Sequence, residues 1–302
     1  MIAVIGSSGL LGARVVERLT AKGHEVLAAS RKERTDLPVG ARPAVVDLRK
    51  PESIRAVLQD VDAVVVAAHG LNPPGWRNGP RQVDDRGVAA IADSIAGTDV
   101  HVTFLSVLDP SVDHELEFWR AKRKGEMHLE RSGVPLAVLR CSAFMEFHAL
   151  ELLARPLKNG KKATIIGCGD GVRNMVSVDD VADLVVWTVE HRHTGRLEVV
   201  GPENATPNED IAAVAELLGA APRVIRISRG FARFLSFIPG KLVPNLGRII
   251  EISLHDDARD QPRKPADLPD GAPVPSRTLT EVVRDNLAEA GHGAARIGPG
   301  DG

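Results

Sequence analysis

The strongest constraint on the fold of this chain is an alternation that runs through its first half. Six short apolar runs, IAVIG (2–6), EVLAAS (25–30), PAVVDL (43–48), DAVVVAA (62–68), HVTFLS (101–106) and PLAVLR (135–140), each have the length of a buried strand. Between them, amphipathic stretches at 10–22, 51–59, 84–96 and 115–132 are long enough to cross back over a sheet as helices. Near-continuous apolar runs suit strands covered on both faces, the situation of a parallel sheet wrapped by helices. The expected fold class is therefore α/β, a doubly wound parallel sheet. A length of 302 residues leaves room for a second, smaller lobe.

After Arg140 the alternation weakens. ATIIGCGDGVRNMVSVDDVADLVVWTVE (163–190) predicts a strand, a glycine-rich turn and a helix capped by Ser177, with Asp179 and Asp180 in the first turn that the helix dipole favours. Residues 1–195 are read as the sheet domain, with part of 141–175 contributing to the second lobe. Residues 196–290 form that smaller lobe, and 291–302 a disordered tail. RDQPRKPADLPDGAPVPS (259–276) reads as an extended linker before a short helix near 278–290. In RVIRISRGFARFLSFIPGKLVPNLGRIIEISL (223–254), Phe231, Phe234 and Phe237 stand at helical spacing and are expected to pack inward around a pocket. Trp76, in a proline- and glycine-rich loop, is a candidate for its border.

Composition narrows the partners. With 38 basic against 40 acidic residues the formal charge is −2, so no global attraction draws the chain to nucleic acid or an anionic membrane. Cys141 and Cys168 are the only cysteines, and their spacing suits neither a metal knuckle nor a redox pair, which points to a reducing, cytoplasmic setting. The amino terminus lacks the features of a secretory signal, and no apolar run approaches the ~20 residues of a membrane-spanning helix.

The first chemical motif is the turn after the first strand. In VIGSSGLLGARVVERL, Gly6, Gly9 and Gly12 let the backbone turn tightly and approach a diphosphate, while the amides of Ser8, Leu10 and Leu11 and the positive end of the helix favour the anion. This is the cradle of a dinucleotide, in a Gly-x-x-Gly-x-x-Gly spacing that departs from the commoner Gly-x-Gly-x-x-Gly. After the second strand, the place of an acid that would accept ribose hydroxyls is taken by SRKER. Ser30, Arg31, Lys32 and Arg34 offer donors and positive charge suited to a 2′-phosphate, with Arg31 foremost, so NADPH is expected to be preferred over NADH. Asp47, followed by Leu48, stands where an adenine would lie. Its carboxylate either accepts from the adenine amino group or caps the helix beginning near Pro51. Ala67 and Ala68 leave space for the coenzyme, and His69 is placed on the nicotinamide side.

Taken together, GSSGLLG, VVDL, AAHG, FLSVLDP, FWRAKRKGE, VLRCSAFME and NMVSVDDVADLVV resemble the short-chain dehydrogenase/reductase superfamily. The similarity is to its atypical branch of NmrA-like and isoflavone-reductase-like proteins. The resemblance implies a Rossmann sheet with a C-terminal substrate lobe, and homodimers are common in the family. It implies that Lys122 contacts the nicotinamide ribose and lowers the pKa of a tyrosine acid four residues earlier. Phe118 occupies that position, and the chain contains no tyrosine. Ser106 is the candidate for the family's active-site hydroxyl, with Val107 the alternative occupant of that slot. Lys122 itself, His69 and His114 are the other groups able to carry a proton.

Two functions follow. The first is an NADP(H)-dependent oxidoreductase acting on a small apolar carbonyl or a quinone, whose stabilised product anion takes its proton from water. The second is an NmrA-like redox sensor that binds the coenzyme without turnover and acts on a protein partner. A scaffold role is a third class that no residue excludes.

Overall fold

The computed structural model describes residues 1–71, 79–237, 244–265 and 267–292. Six strands follow the predicted alternation: β1 (Ile2–Ile5), β2 (Val26–Ser30), β3 (Ala41–Val45), β4 (Ala63–Val66), β5 (His101–Val107) and β6 (Leu136–Cys141). Next come the short β7 (Ala143–Phe144), then β8 (Ala163–Ile166), β9 (Arg173–Val176), β10 (Gly195–Val199), β11 (Asn204–Ala205) and β12 (Val224–Ile227). The central sheet has seven strands in the order β10-β6-β5-β4-β1-β2-β3, all parallel. The chain leaves β1 toward one edge and returns to β4 on its other side. That reversal opens a crevice beyond the carboxyl ends of β1 and β4.

Helices α1 (Leu10–Ala21), α2 (Pro51–Leu58), α3 (Val88–Ile95), α4 (Glu117–Ser132), the single turn α5 (Arg155–Lys158) and α6 (Val178–Glu190) lie where apolar residues recur at helical spacing. The sheet buries both faces. Val4, Val65 and Leu139 pack under α1 and α6 with Val15, Leu19 and Val185, whereas Ile5, Val64 and Phe104 pack under α2, α3 and α4 with Ile54, Ile91 and Leu129. As expected, Ser177 caps α6, its side chain accepting from the Asp179 amide. Asp179 also pairs with Arg18 of α1 at 2.6 Å.

Three expectations shift. β3 begins two residues earlier than the apolar run and ends at Val45, its register exhausted opposite Ser30. It is an edge strand, which tolerates Pro43, and Val46 and Leu48 enter the core after the ladder has ended. The helix expected over 84–96 starts instead as a wide π-type stretch, Arg81–Gly87, before tightening into α3. β10, read beforehand as the start of the second lobe, pairs with β6 and carries the central sheet past the expected boundary at 195.

A third, smaller core lies at one end of the sheet. The π-type stretch Glu146–Ala154, α7 (Pro207–Leu217) and α10 (Leu279–His292) bury Leu150, Ile211 and Val283 together, while α8 (Arg229–Phe237) and α9 (Pro244–Asp257) pack on each other. Phe231 and Phe234 contradict the inward packing expected of them. They are 55% and 58% exposed, because α8 turns Ala232 inward instead. The side chain of Phe237, and Trp76, lie outside the described residues. The described residues of 259–276 are not a free linker: Gln261 donates its amide to Val172 O, and the Ser276 and Arg277 amides donate to Asp180. Of the expected tail, 291–292 continue α10 and the remainder lies outside the described residues. No helix among the described residues is long and apolar enough to cross a membrane.

Candidate functional site

The turn after β1 is built from close approach. Gly6 has φ +93°, and a Cβ there would stand 2.6 Å from the Ala68 nitrogen; one on Gly12 would stand 2.1 Å from Gly6 O. The end of β1, the end of β4 and the start of α1 are thus as near as bare backbone allows. Gly9 is the N-cap of α1 and no side chain caps the helix, so the first-turn amides of Leu10, Leu11 and Gly12 face outward. Ser8, Gly9 and Leu10 are exposed, while Leu11 is anchored in the core. A cradle that any side chain would fill, with uncapped amides at its rim, fits a diphosphate.

The basic loop after β2 arranges itself differently from the order of preference in the sequence. Arg34 reaches the turn, donating from Nη1 to Ser7 O at 2.7 Å while pairing with Asp36 at 2.9 Å. Arg31 is exposed beside it, and Ser30 is buried with its hydroxyl donating to Lys32 O. Asp47 does not cap α2, whose N-cap is Lys50 without a side-chain bond. Its carboxylate accepts instead from the Arg49 amide at 3.0 Å and the Arg49 guanidinium at 2.8 Å, which holds it below the usual carboxylate range. The capping alternative fails because the chain needs two residues after Asp47 to turn into the helix. Leu48 packs into the core against Gly87, where a Cβ would meet its own at 2.7 Å.

Across the crevice stands Lys122. Its side chain is 4% exposed; Nζ lies 2.9 Å from Asp84 Oδ1 and donates to Leu105 O at 2.7 Å. Oδ1 has no hydrogen-bond geometry toward any donor, so the contact is ionic in character, while Oδ2 accepts from the Gly70 amide at 2.8 Å. The ammonium also faces the rings of Phe104 at 4.9 Å and Phe118 at 5.5 Å. Gly125 makes this meeting possible, since a Cβ there would stand 2.5 Å from Asp84 O. Asp84 was missed in the sequence. Its signal was present: positions 84, 88, 91 and 95 form one helical stripe, apolar apart from the carboxylate.

The other candidate proton carriers separate. Ser106 is buried and donates to Glu126 Oε1 at 2.6 Å, within a network in which Arg140 donates to Glu126 Oε2 at 2.7 Å. Val107 is half-buried beside it. His69 lies near the Asp84–Lys122 pair, 6.2 Å ring to ring from Phe118. Its side chain is exposed, yet the protein around it excludes enough water to lower its pKa, with Asp84 opposing and Lys122 reinforcing the effect. His114 lies beyond the Phe118–Trp119 wall, stacked on Trp119 at 5.3 Å, and desolvation lowers its pKa as well. Cys141, buried and within range of Lys122, has its thiol pushed up to about 12 by burial. His148 is pushed down to about 3, by desolvation first and by Arg173 second.

A family model described as NAD(P)H-binding matches residues 6–192, spanning the glycine turn, the crevice and the Lys122 helix. The chain belongs to this NAD(P)H-binding family. Among curated proteins, the chain is 27% identical over 259 residues to the chloroplastic divinyl chlorophyllide a 8-vinyl-reductase of Cucumis sativus, covering 77% of this chain and 60% of that protein. The chain therefore spans about 60% of the length of that curated relative. Among solved structures, a nucleoside-diphosphate-sugar epimerase from Staphylococcus aureus superposes with a TM-score of 0.69 at 17% identity, over 94% of this chain and 99% of that one. Thermus thermophilus UDP-glucose 4-epimerase, in complex with NAD, gives 0.64 at 21% identity, over 75% and 86%. At these identities the structural likeness establishes the Rossmann-like fold, and the family match establishes an NAD(P)H-binding chain.

Proposed function

We propose that this protein is an NADP(H)-dependent reductase of the atypical short-chain type, acting on acceptors that need no strong enzyme acid. The observation that carries the reading is the buried ammonium of Lys122, held by Asp84 and Leu105 O beneath Phe118, across the crevice from the uncapped start of α1. The amides from Gly6 to Gly12 would hold the diphosphate, Arg34 and Arg31 the 2′-phosphate, and Asp47, Leu48, Ala67, Ala68 and His69 the walls between. Lys122 would orient the nicotinamide ribose. When bound, the nicotinamide supplies a hydride.

Phe118 walls the reacting space and gives no proton. Ser106, expected as the catalytic hydroxyl, is proposed instead as a positioning residue that fixes α4 through Glu126, because its proton is committed there. The substrate class that suits such a site is a quinone, an enone or another conjugated acceptor, protonated from water. The cucumber relative is named for reduction of a vinyl group, which supports extending the class to conjugated alkenes. The smaller lobe would cover this substrate.

The same absence of an acid favours a second reading, a coenzyme-binding sensor without turnover. Calorimetry with NADPH and NADH, followed by a quinone and enone turnover screen, separates the two. NADPH is expected to bind more tightly than NADH, and Arg34→Ala or Arg31→Ala to weaken NADPH about tenfold while sparing NADH. Equal affinities in the wild type would refute the 2′-phosphate assignment, and binding without any turnover would select the sensor.

A further inference from the structure

Helix α9 is pinned at two points to the helices that carry the buried ion pair. Near its start, Arg248 places Nη2 2.4 Å, and Cζ 3.2 Å, from where a Cβ on Gly79 would stand, with Gln82 Oε1 3.5 Å from the same point. Gly79 lies just ahead of the wide helix bearing Asp84, and a Cβ on Gly70, next to His69, would stand 2.6 Å from Gly79 C. Farther along α9, His255 Nε2 lies 3.3 Å from Glu115, just ahead of the helix bearing Lys122. Arg248 and His255 are seven positions apart in α9, two turns on one face and about 10 Å along its axis. α9 therefore lies against the segments that lead into both helices, and Arg248 meets the backbone at Gly79, which itself packs against Gly70.

Several cations around this region have acidic partners. Lys122 has Asp84, Arg173 has Asp210 at 2.9 Å, and Arg259 has Glu115 at 2.6 Å. Arg248 has no such partner among the described residues, and its Nη1 is buried without a hydrogen bond. A buried guanidinium N–H without an acceptor is costly, and a fold that keeps one gains where a ligand brings the acceptor. The absence of a side chain at Gly79 is what admits the guanidinium, so the pocket is shaped for the cation and not merely tolerant of it.

We propose that Arg248 is the anion-recognition residue of the substrate site, and that the acceptor reduced there carries a carboxylate. The planar fork of an arginine matches a carboxylate through two parallel hydrogen bonds, and fixes orientation as well as affinity. The assignment deepens the reductase reading and rests on it for the identity of the crevice. It selects, among conjugated acceptors, those with an acidic group at the end remote from the reducible bond.

The test uses a matched pair of enones, benzylideneacetone and its 4-carboxylate, titrated calorimetrically into the full chain with and without NADP+. The wild type is expected to bind the carboxylate about tenfold more tightly than the neutral compound. Arg248→Gln should abolish that preference and Arg248→Lys retain part of it, with NADP+ affinity equal in all three. Arg248→Gln should also melt no lower than the wild type, because the guanidinium has no acidic partner among the described residues to lose. No carboxylate preference in the wild type, or a preference that survives Arg248→Gln, overturns the proposal. A fall in NADP+ affinity in Arg248→Gln overturns it too, since the guanidinium would then serve the coenzyme. A chain that binds no NADP(H) yet keeps an Arg248-dependent carboxylate preference sinks the coenzyme reading and leaves the anion site standing.

Discussion

Separating Lys122 from Asp84 should be one of the most destabilising single changes available in this protein. At 2.9 Å, the attraction amounts to about 6 kcal/mol for an effective dielectric of about 20. Both side chains are almost wholly out of water, at 4% and 0% exposure, so the desolvation of the two ions, several kcal/mol each, offsets most of it. The pair as a unit is thus nearly neutral, whereas one ion left alone keeps its desolvation cost without the compensation. Lys122→Met and Asp84→Asn are each expected to lose roughly 3–5 kcal/mol, a large share of an ordinary domain's stability. Asp84→Asn keeps an oxygen for the Gly70 amide, so its loss reports the charge rather than the hydrogen bond. The double variant should lose less than either single one, giving a coupling of at least about 3 kcal/mol between neighbouring sites. Urea unfolding of the four proteins measures this cycle, with NADP+ affinity measured alongside. The double variant should regain stability but not coenzyme affinity. Single losses below about 1 kcal/mol, or strictly additive losses, would refute the account of a buried, mutually dependent pair.

Other outcomes follow from the same geometry. Gly12→Ala places a methyl group 2.1 Å from Gly6 O, so it should cost about 2–3 kcal/mol in thermal or urea unfolding and abolish coenzyme binding; an unchanged midpoint would deny the close approach. Phe118→Tyr sets a hydroxyl on the ring that borders Lys122 and His69, and turnover of a simple ketone such as acetophenone should rise at least about a hundredfold. Unaltered ketone turnover with intact NADPH binding would contradict the missing-acid argument. His148 has a folded pKa of about 3, below that of the unfolded chain, so the unfolded state binds the extra proton first as pH falls. Stability should decline from about pH 6.5 toward pH 3, and His148→Leu should flatten part of that decline; an acid limb identical in the two proteins would argue against the desolvation of this imidazole.

The parts of the site that were legible in advance are those encoded locally. Gly6, Gly9 and Gly12 follow a strand and open a helix, and their close contacts involve residues near in sequence or one strand away. Lys122 was singled out by the family resemblance, and Ser177 by the chemistry of helix caps. What escaped depended on partners distant in the chain. Ser106 seemed free to act on a substrate until Glu126 and Arg140 were brought against it. Phe231 and Phe234 have the spacing of a buried stripe, but which face of α8 turns inward is set by α9, not by α8 alone.

The sequence by itself determined the layered sheet, the tight glycine turn and the loss of the tyrosine, because strand and helix periods, glycine geometry and side-chain chemistry are properties of short segments. Only the tertiary structure decided which charges meet: Arg34 rather than Arg31 at the turn, Asp84 under Lys122, and Arg248 beside Gly79 with no acidic partner among the described residues. Ionic contacts form across a few ångströms between residues tens of positions apart, and burial rather than local spacing sets their strength.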